Sequence, residues 1–305
     1  MKAQKILAFA TLLMGVLTSC KGPAPLTADQ IVEHINNPSS KRVLVIAHRG
    51  DWRNNPENSI AAIESAIAMG VDIVEIDLKL TKDSVLVLCH DKTVNRTTNG
   101  KGLVSDYTLD SLKQLRLKQG HGVAGTQQIP TLKEALEVCK DRIVVNLDHA
   151  YDYYDLALKV CEEVGVTHQC LMKGSKPAAE VAQKFAFHKN NMMYMPIIPI
   201  LKPEGKRLFE EYMDAGQPPL AYEVCWPEMT PEVQVCMQQV LAQGSKVWVN
   251  SLWASLNGGM DDDAAYYSNN PDSVYGLLID LGATMIQTDR PEYLIDYLRK
   301  KGLHN

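Results

Sequence analysis

From residue 43 onward the chain keeps one rhythm. A short apolar run rich in Val and Ile is followed by a longer stretch whose apolar residues recur at helical spacing. The runs at 43–47, 71–80, 143–148, 170–173, 193–198, 220–224, 246–250 and 284–287 predict strands. Helices are expected at 59–69, 132–140, 154–164, 177–187, 204–215, 231–243, 273–281 and 292–300. In the first of these Ile60, Ile63 and Ile67 share one side, and Gly70 is placed to close it. Eight strand-then-helix units in about 260 residues match an α/β fold of the (β/α)8 TIM-barrel type. A doubly wound open sheet is the alternative, but no GxGxxG or P-loop signature supports it.

The rhythm breaks between about 85 and 130. The run 85–89 reads as one more strand, and the polar segments NRTTNGKG and KQGHGVAGTQQ that follow have little apolar period. This predicts an insertion after strand two, lying over the barrel mouth as a lid or binding loop. At the other end, Lys2 and Lys5 precede an apolar run from Ile6 to Val16, the pattern of a secretory signal and too short for a good membrane span. Its close, Leu17-Thr18-Ser19-Cys20, resembles a bacterial lipoprotein signal, which implies cleavage before Cys20 and a lipid on its sulfur. The domain reading is a signal peptide at 1–20, a tether with a short helix at 21–41, and the barrel at 42–303. The implied location is outside the cytoplasm, anchored to a membrane and facing the periplasm or cell surface.

Composition narrows the function. Hydrophobic residues make up 46% and charged residues 22%, as in an ordinary folded protein. The net charge of −5 and the lack of a basic cluster leave nothing to hold DNA or RNA, so no nucleic-acid partner is expected. Cys89, Cys139, Cys161, Cys170, Cys225 and Cys236 lie in apolar stretches without paired spacing, and read as small buried residues.

In a barrel the chemistry sits where strands end. Strand one ends in His48-Arg49-Gly50. In strand two, alternation puts Val74, Ile76 and Leu78 on one face and Glu75, Asp77 and Lys79 on the other. The apolar face should meet the helices, which turns Glu75 and Asp77 into the barrel. Two carboxylates on one wall repel unless a cation lies between them, and oxygen ligands favour a hard ion, Mg²⁺ or Ca²⁺. The extra strand ends in Cys89-His90-Asp91 and brings a second histidine.

HRG at 48–50, PENS at 56–59, E-x-D at 75–77, HD at 90–91 and NRTTNG at 95–100, in this order, strongly resemble the glycerophosphodiester phosphodiesterases, as does the close Gln287-Thr288-Asp289-Arg290-Pro291. The resemblance spans about 43–300. It implies a barrel with an insertion after strand two, one divalent cation, and a small-molecule phosphodiester cut by two histidines acting as acid and base. On the matching positions His48 and His90 are the catalytic pair, Arg49 binds phosphate, and Glu75 and Asp77 hold the metal. The family's third metal ligand is a Glu in an E-x-K pattern; here Asp148 and Ala150 stand at those positions. Asp148 keeps the charge on a shorter arm. The lysine is missing, and Lys173, ending strand four, is the candidate to replace it.

Weaker candidates remain. Glu57 is a further carboxylate, or Asn58 simply caps the first helix. Trp226, Trp248 and Trp253 either line an apolar rim or pack the barrel top. Glu223 and Asn250 end strands. Asp261-Asp262-Asp263 reads as a solvated loop, and His149, next to Asp148, should turn to the opposite face. The expected products are an alcohol and sn-glycerol 3-phosphate. The departures at 148 and 150 keep open a barrel that binds a phosphorylated ligand without turnover, or one that cuts a lipid or sugar phosphodiester.

Overall fold

All eight expected runs form strands in the computed structural model, which describes residues 25–188 and 191–305. In chain order they are β1 (Leu44–Ala47), β2 (Ile73–Leu80), a short β3 (Leu86–Leu88), β4 (Val144–Asp148), β5 (Cys170–Gly174), β6 (Met193–Pro199), β7 (Ala221–Cys225), β8 (Lys246–Asn250) and β9 (Met285–Thr288). Omitting β3, each strand pairs in parallel with the next, and β9 pairs with β1, which pairs with β2. That closure makes an eight-stranded parallel barrel with helices outside. β3 lies antiparallel on the outer end of β2, with Leu78 opposite Leu88 and Leu80 opposite Leu86.

One alternation governs every strand. Val45, Ala47, Val74, Ile76, Leu78, Val145 and Leu147 belong to the large apolar layer between strands and helices. Their neighbours of opposite parity, among them Leu44, Ile46, Ile73, Val144, Leu171, Trp248 and Met285, fill the lower half of the barrel. Continued toward the C-terminal ends, the inner parity yields His48, Glu75, Asp77, Asp148, Lys173, Glu223 and Asn250. The same pleat that seals the floor with hydrocarbon thus collects polar groups at the mouth.

The helix Ala28–Asn36 belongs to this core. Thr27 and Gln30 form a capping box, and Ile31 and Ile35 pack into the interior cluster, the helix lying against β4. Lys246, at the start of β8, donates to the carbonyl of Asn37 just past this helix (2.7 Å). The signal sequence and Cys20 lie outside the described residues. Among the described residues, no helix is long and apolar enough to cross a membrane.

The insertion is better ordered than its polar sequence suggests. Val87, Cys89, Val94, Val104, Leu112, Leu117 and Ile129 form a small core of their own. The bridges Thr93–Leu103 and Thr98–Leu117 fold the segment back on itself. Its apolar residues meet through these long-range bridges, so no local period announces them.

Candidate active site

Backbone geometry sets the first edge of the site. Arg49 and Gly50 both take left-handed backbone, with φ of 55° and 73°. At Gly50 a Cβ would fall 2.8 Å from the backbone carbon and the side chain of Ala62, so only glycine fits the turn. The turn brings the Arg49 N–H to Glu75 Oε2 (2.8 Å). Asn58, also left-handed at φ 54°, does not cap the first helix; Ser59 does, through Ala62 N–H. Asn58 faces inward instead. Its Nδ2 donates to Asp77 Oδ2 (2.8 Å), and its Oδ1 accepts from Asp77 N–H (3.0 Å).

Glu75, Asp77 and Asp148 each offer a carboxylate oxygen, and these oxygens lie within 4.8 Å of one another. The register explains it, since Asp77 on β2 stands beside Asp148 on β4. Burial first, then the charge of Asp77, pushes the Glu75 carboxyl well above its usual range. At Asp148 burial acts in the same sense and is the largest single influence, but the charges of Lys173 and His149 and the backbone N–H of His149 together outweigh it and hold that carboxyl low. Asp77 is 1% exposed, and its Oδ1 has no hydrogen-bond partner. A buried carboxylate oxygen left without a donor, among three converging carboxylates, fits a divalent cation. Glu57 does not join this group. Its oxygens accept from Arg49 Nη1 (3.1 Å) and Arg96 Nη2 (2.9 Å).

Both expected histidines border the carboxylates, and each is oriented by an aspartate. His48 Nδ1 lies 2.8 Å from Asp289 Oδ1, which also accepts from Trp52 Nε1 (2.7 Å). His90 Nδ1 lies 2.8 Å from Asp91 Oδ1, and Asp91 is gripped by Arg96 (2.9 Å). The Arg96 bond, then the His90 contact, hold the Asp91 carboxyl far below the usual range despite some burial. An ionised carboxylate only accepts, so Nδ1 carries the proton in both rings and Nε2 is left free.

Lys173 lies buried, with Nζ 3.3 Å from Glu223 Oε2 and 5.5 Å from the Trp248 ring centre. Burial works against its charge, but Asp148, Glu223 and Glu75 more than offset this and hold the ammonium charged. Asn250 donates to Glu223 Oε1 (2.8 Å) and accepts from Trp248 Nε1 (2.9 Å). Trp226 and Trp248 are fully buried and belong to the barrel packing, whereas Trp253 is 48% exposed with its ring 6.2 Å from that of His48.

Two expectations are corrected here. His149 does not turn away. It takes a left-handed φ of 55°, which breaks the strand alternation, and its Nε2 lies 3.7 Å from Asp148 Oδ2 and 3.9 Å from Asp77 Oδ1. The triple aspartate is a solvated loop only in part: Asp263 is exposed and Asp261 caps the helix Asp262–Tyr267. Asp262 is buried and gathers Ser251 Oγ (2.7 Å), Tyr275 OH (2.8 Å), Thr288 Oγ1 (2.8 Å) and the Asp289 N–H (2.7 Å). Burial pushes its carboxyl up to about 6 against these four donors. It fixes the backbone of the residue that orients His48. Asp262→Ala takes the acceptor from Tyr275 OH, Thr288 Oγ1 and the Asp289 N–H, while Ser251 Oγ keeps the Gln287 carbonyl (3.0 Å); it is expected to cost about 3 kcal/mol, read as a lower urea midpoint.

Comparison with known proteins places this geometry. Residues 48–211, just over half of the chain, match the model of the glycerophosphoryl diester phosphodiesterase family. The chain belongs to this family. Residues 194–298 also match a family described only as a domain of unknown function. Among curated proteins, a glycerophosphodiester phosphodiesterase of Caldanaerobacter subterraneus subsp. tengcongensis is 50% identical over 110 residues, 35% of this chain and 45% of that protein. One of Bacillus subtilis is 31% identical over 201 residues, 61% of this chain and 65% of that protein. The chain spans about half the length of the curated relatives it matches most strongly. Among solved structures, a glycerophosphoryl diester phosphodiesterase from Parabacteroides distasonis covers 90% of this chain and 92% of its own, at 26% identity and a TM-score of 0.74. A phosphodiesterase from Oleispira antarctica, solved with the product sn-glycerol-3-phosphate, shares the fold at 23% identity and a TM-score of 0.60, covering 84% of this chain and 96% of its own.

Proposed function

We propose that this member of the glycerophosphodiester phosphodiesterase family is a metal-dependent hydrolase that cuts glycerophosphodiesters to an alcohol and sn-glycerol 3-phosphate. The observation that carries the reading is the pair of imidazoles, His48 and His90, each with Nδ1 on an aspartate and Nε2 free beside a carboxylate cluster. A barrel that only binds its ligand has no use for two such groups.

A phosphodiester is an anion and repels nucleophiles. Glu75, Asp77 and Asp148 would hold Mg²⁺ or Ca²⁺, which when bound withdraws charge from the phosphoryl oxygens. Arg49 and Lys173 add fixed positive charge, with Lys173 serving in place of the lysine absent at Ala150. One imidazole takes the proton of the attacking hydroxyl, and the other returns a proton to the leaving alcohol. The attacking hydroxyl is water, or the neighbouring hydroxyl of the substrate's glycerol; the latter gives a cyclic phosphate that water opens afterwards. Family membership supports this assignment, and so does the resemblance of residues 48–50, 56–59, 75–77 and 90–91 to its motifs. The reading includes export and attachment through a lipidated Cys20, supported by the signal pattern at the N-terminus.

The test is hydrolysis of glycerophosphocholine and glycerophosphodiesters with other head groups, with Mg²⁺ or Ca²⁺ supplied. Release of glycerol 3-phosphate in step with the free alcohol is expected. Binding of these diesters without release would make the protein a ligand-binding barrel. Turnover confined to lipid or sugar phosphodiesters would move the substrate class.

A further inference from the structure

We propose that Asp77, His90 and His149 form a second cation site, one that takes Zn²⁺ or a similar borderline transition metal and silences His90 when filled. One ligand atom from each of these residues lies within 4.8 Å of the other two. The site adjoins the three carboxylates and shares Asp77 with them, but its chemistry differs: two imidazoles and one carboxylate replace three carboxylates. Imidazole nitrogen suits zinc and its neighbours, whereas Mg²⁺ and Ca²⁺ prefer oxygen alone.

Three features of the fold point to a ligand. Asp77 is 1% exposed, and its Oδ1, the oxygen facing His149 Nε2 at 3.9 Å, has no hydrogen-bond partner. His90 donates from Nδ1 to Asp91, which Arg96 holds in turn. A carboxylate behind an imidazole orients the other nitrogen toward a metal and raises its basicity. His149 sits at φ 55°, a conformation that disfavours most side chains, and this brings its ring edge-on to His90 at 5.7 Å. No hydrogen bond to either ring nitrogen of His149 accounts for that placement; its described polar neighbours are the carboxylates of Asp77 and Asp148.

The functional consequence rests on His90 being one of the two proton-transfer groups. A nitrogen lone pair given to zinc cannot accept a proton, so the filled site would stop turnover while the carboxylate site keeps its hard cation.

Zinc calorimetry on the full chain, already saturated with Mg²⁺, tests this. One zinc is expected to bind beside the magnesium and to stop hydrolysis of glycerophosphocholine. Cobalt(II) alone, used as a visible probe, should show absorption bands of a nitrogen-ligated ion. His149→Asn removes the imidazole yet keeps a residue that tolerates left-handed backbone. It should bind zinc at least about 10-fold more weakly and need correspondingly more zinc for inhibition, with the magnesium-supported rate retained. Unchanged zinc affinity in His149→Asn overturns the proposal, as does zinc that binds only by displacing magnesium. Should the chain prove inactive on every diester, the hydrolase reading fails, while calorimetry and the cobalt spectrum still decide whether the site exists.

Discussion

His48→Ala is expected to lower kcat by about 10²–10⁴-fold while the barrel stays folded. His48 adds little to the apolar core, and its Nδ1 bonds only Asp289. Once the ring is gone, Asp289 still accepts from Trp52 Nε1 and so is not stranded as an unpaired buried charge. The loss should therefore appear in turnover and not in the melting temperature. His90→Ala should behave alike, because Arg96 continues to hold Asp91. Asp289→Asn keeps the shape of its side chain but no longer stabilises a charged imidazole. It should lower kcat less than His48→Ala, leave KM nearly unchanged and shift the pH–rate profile. Steady-state kinetics beside thermal melts check all three. Wild-type turnover in His48→Ala would end its assignment as acid or base.

Removing divalent cations should have the second large effect. EDTA is expected to abolish turnover, and Mg²⁺ or Ca²⁺ to restore it. The cause is the crowding of Glu75, Asp77 and Asp148 in a buried space. Without a cation, burial and the charge of Asp77 penalise the ionised form of Glu75 and raise its pKa. Its folded pKa is raised, so the metal-free protein is favoured below the unfolded carboxyl range and loses that stability as pH rises. A bound cation reverses this preference and displaces the proton. At a concentration 100 times Kd it should add about 2.7 kcal/mol of stability, which for a domain of this size raises Tm by roughly 5 °C. Asp77→Asn should lose most of that response. Full activity in excess EDTA would remove the metal from the reaction.

The barrel was legible because alternation is a property of the strand backbone itself. Once Val74, Ile76 and Leu78 were assigned to the helix side, Glu75 and Asp77 had to face inward, and they do. Alternation failed at His149 for a physical reason: β4 ends at Asp148, and the next residue turns left-handed. The sequence leaves open whether Asn58 or its neighbour Ser59 caps the helix, and only the tertiary fold shows which side chain is free to reach Asp77. Asp262 looked solvated among its acidic neighbours, and its burial is decided by Ser251, Tyr275 and Thr288 from other parts of the chain. The partners of His48 and His90 lay within quoted motifs, yet the pairing of Asp289 with His48 spans most of the sequence.

The helix Ala28–Asn36 closes the floor of the barrel with Ile31 and Ile35, at the pole opposite the catalytic groups. A lipid carried on Cys20 would therefore pull on the bottom of the molecule and aim its opening at the solvent. Diesters already freed from the bilayer could diffuse in, whereas head groups still attached to acyl chains in the same leaflet would face the sealed side. Under the proposed anchoring through Cys20, the position of this one short helix would favour soluble breakdown products over intact lipid as substrate.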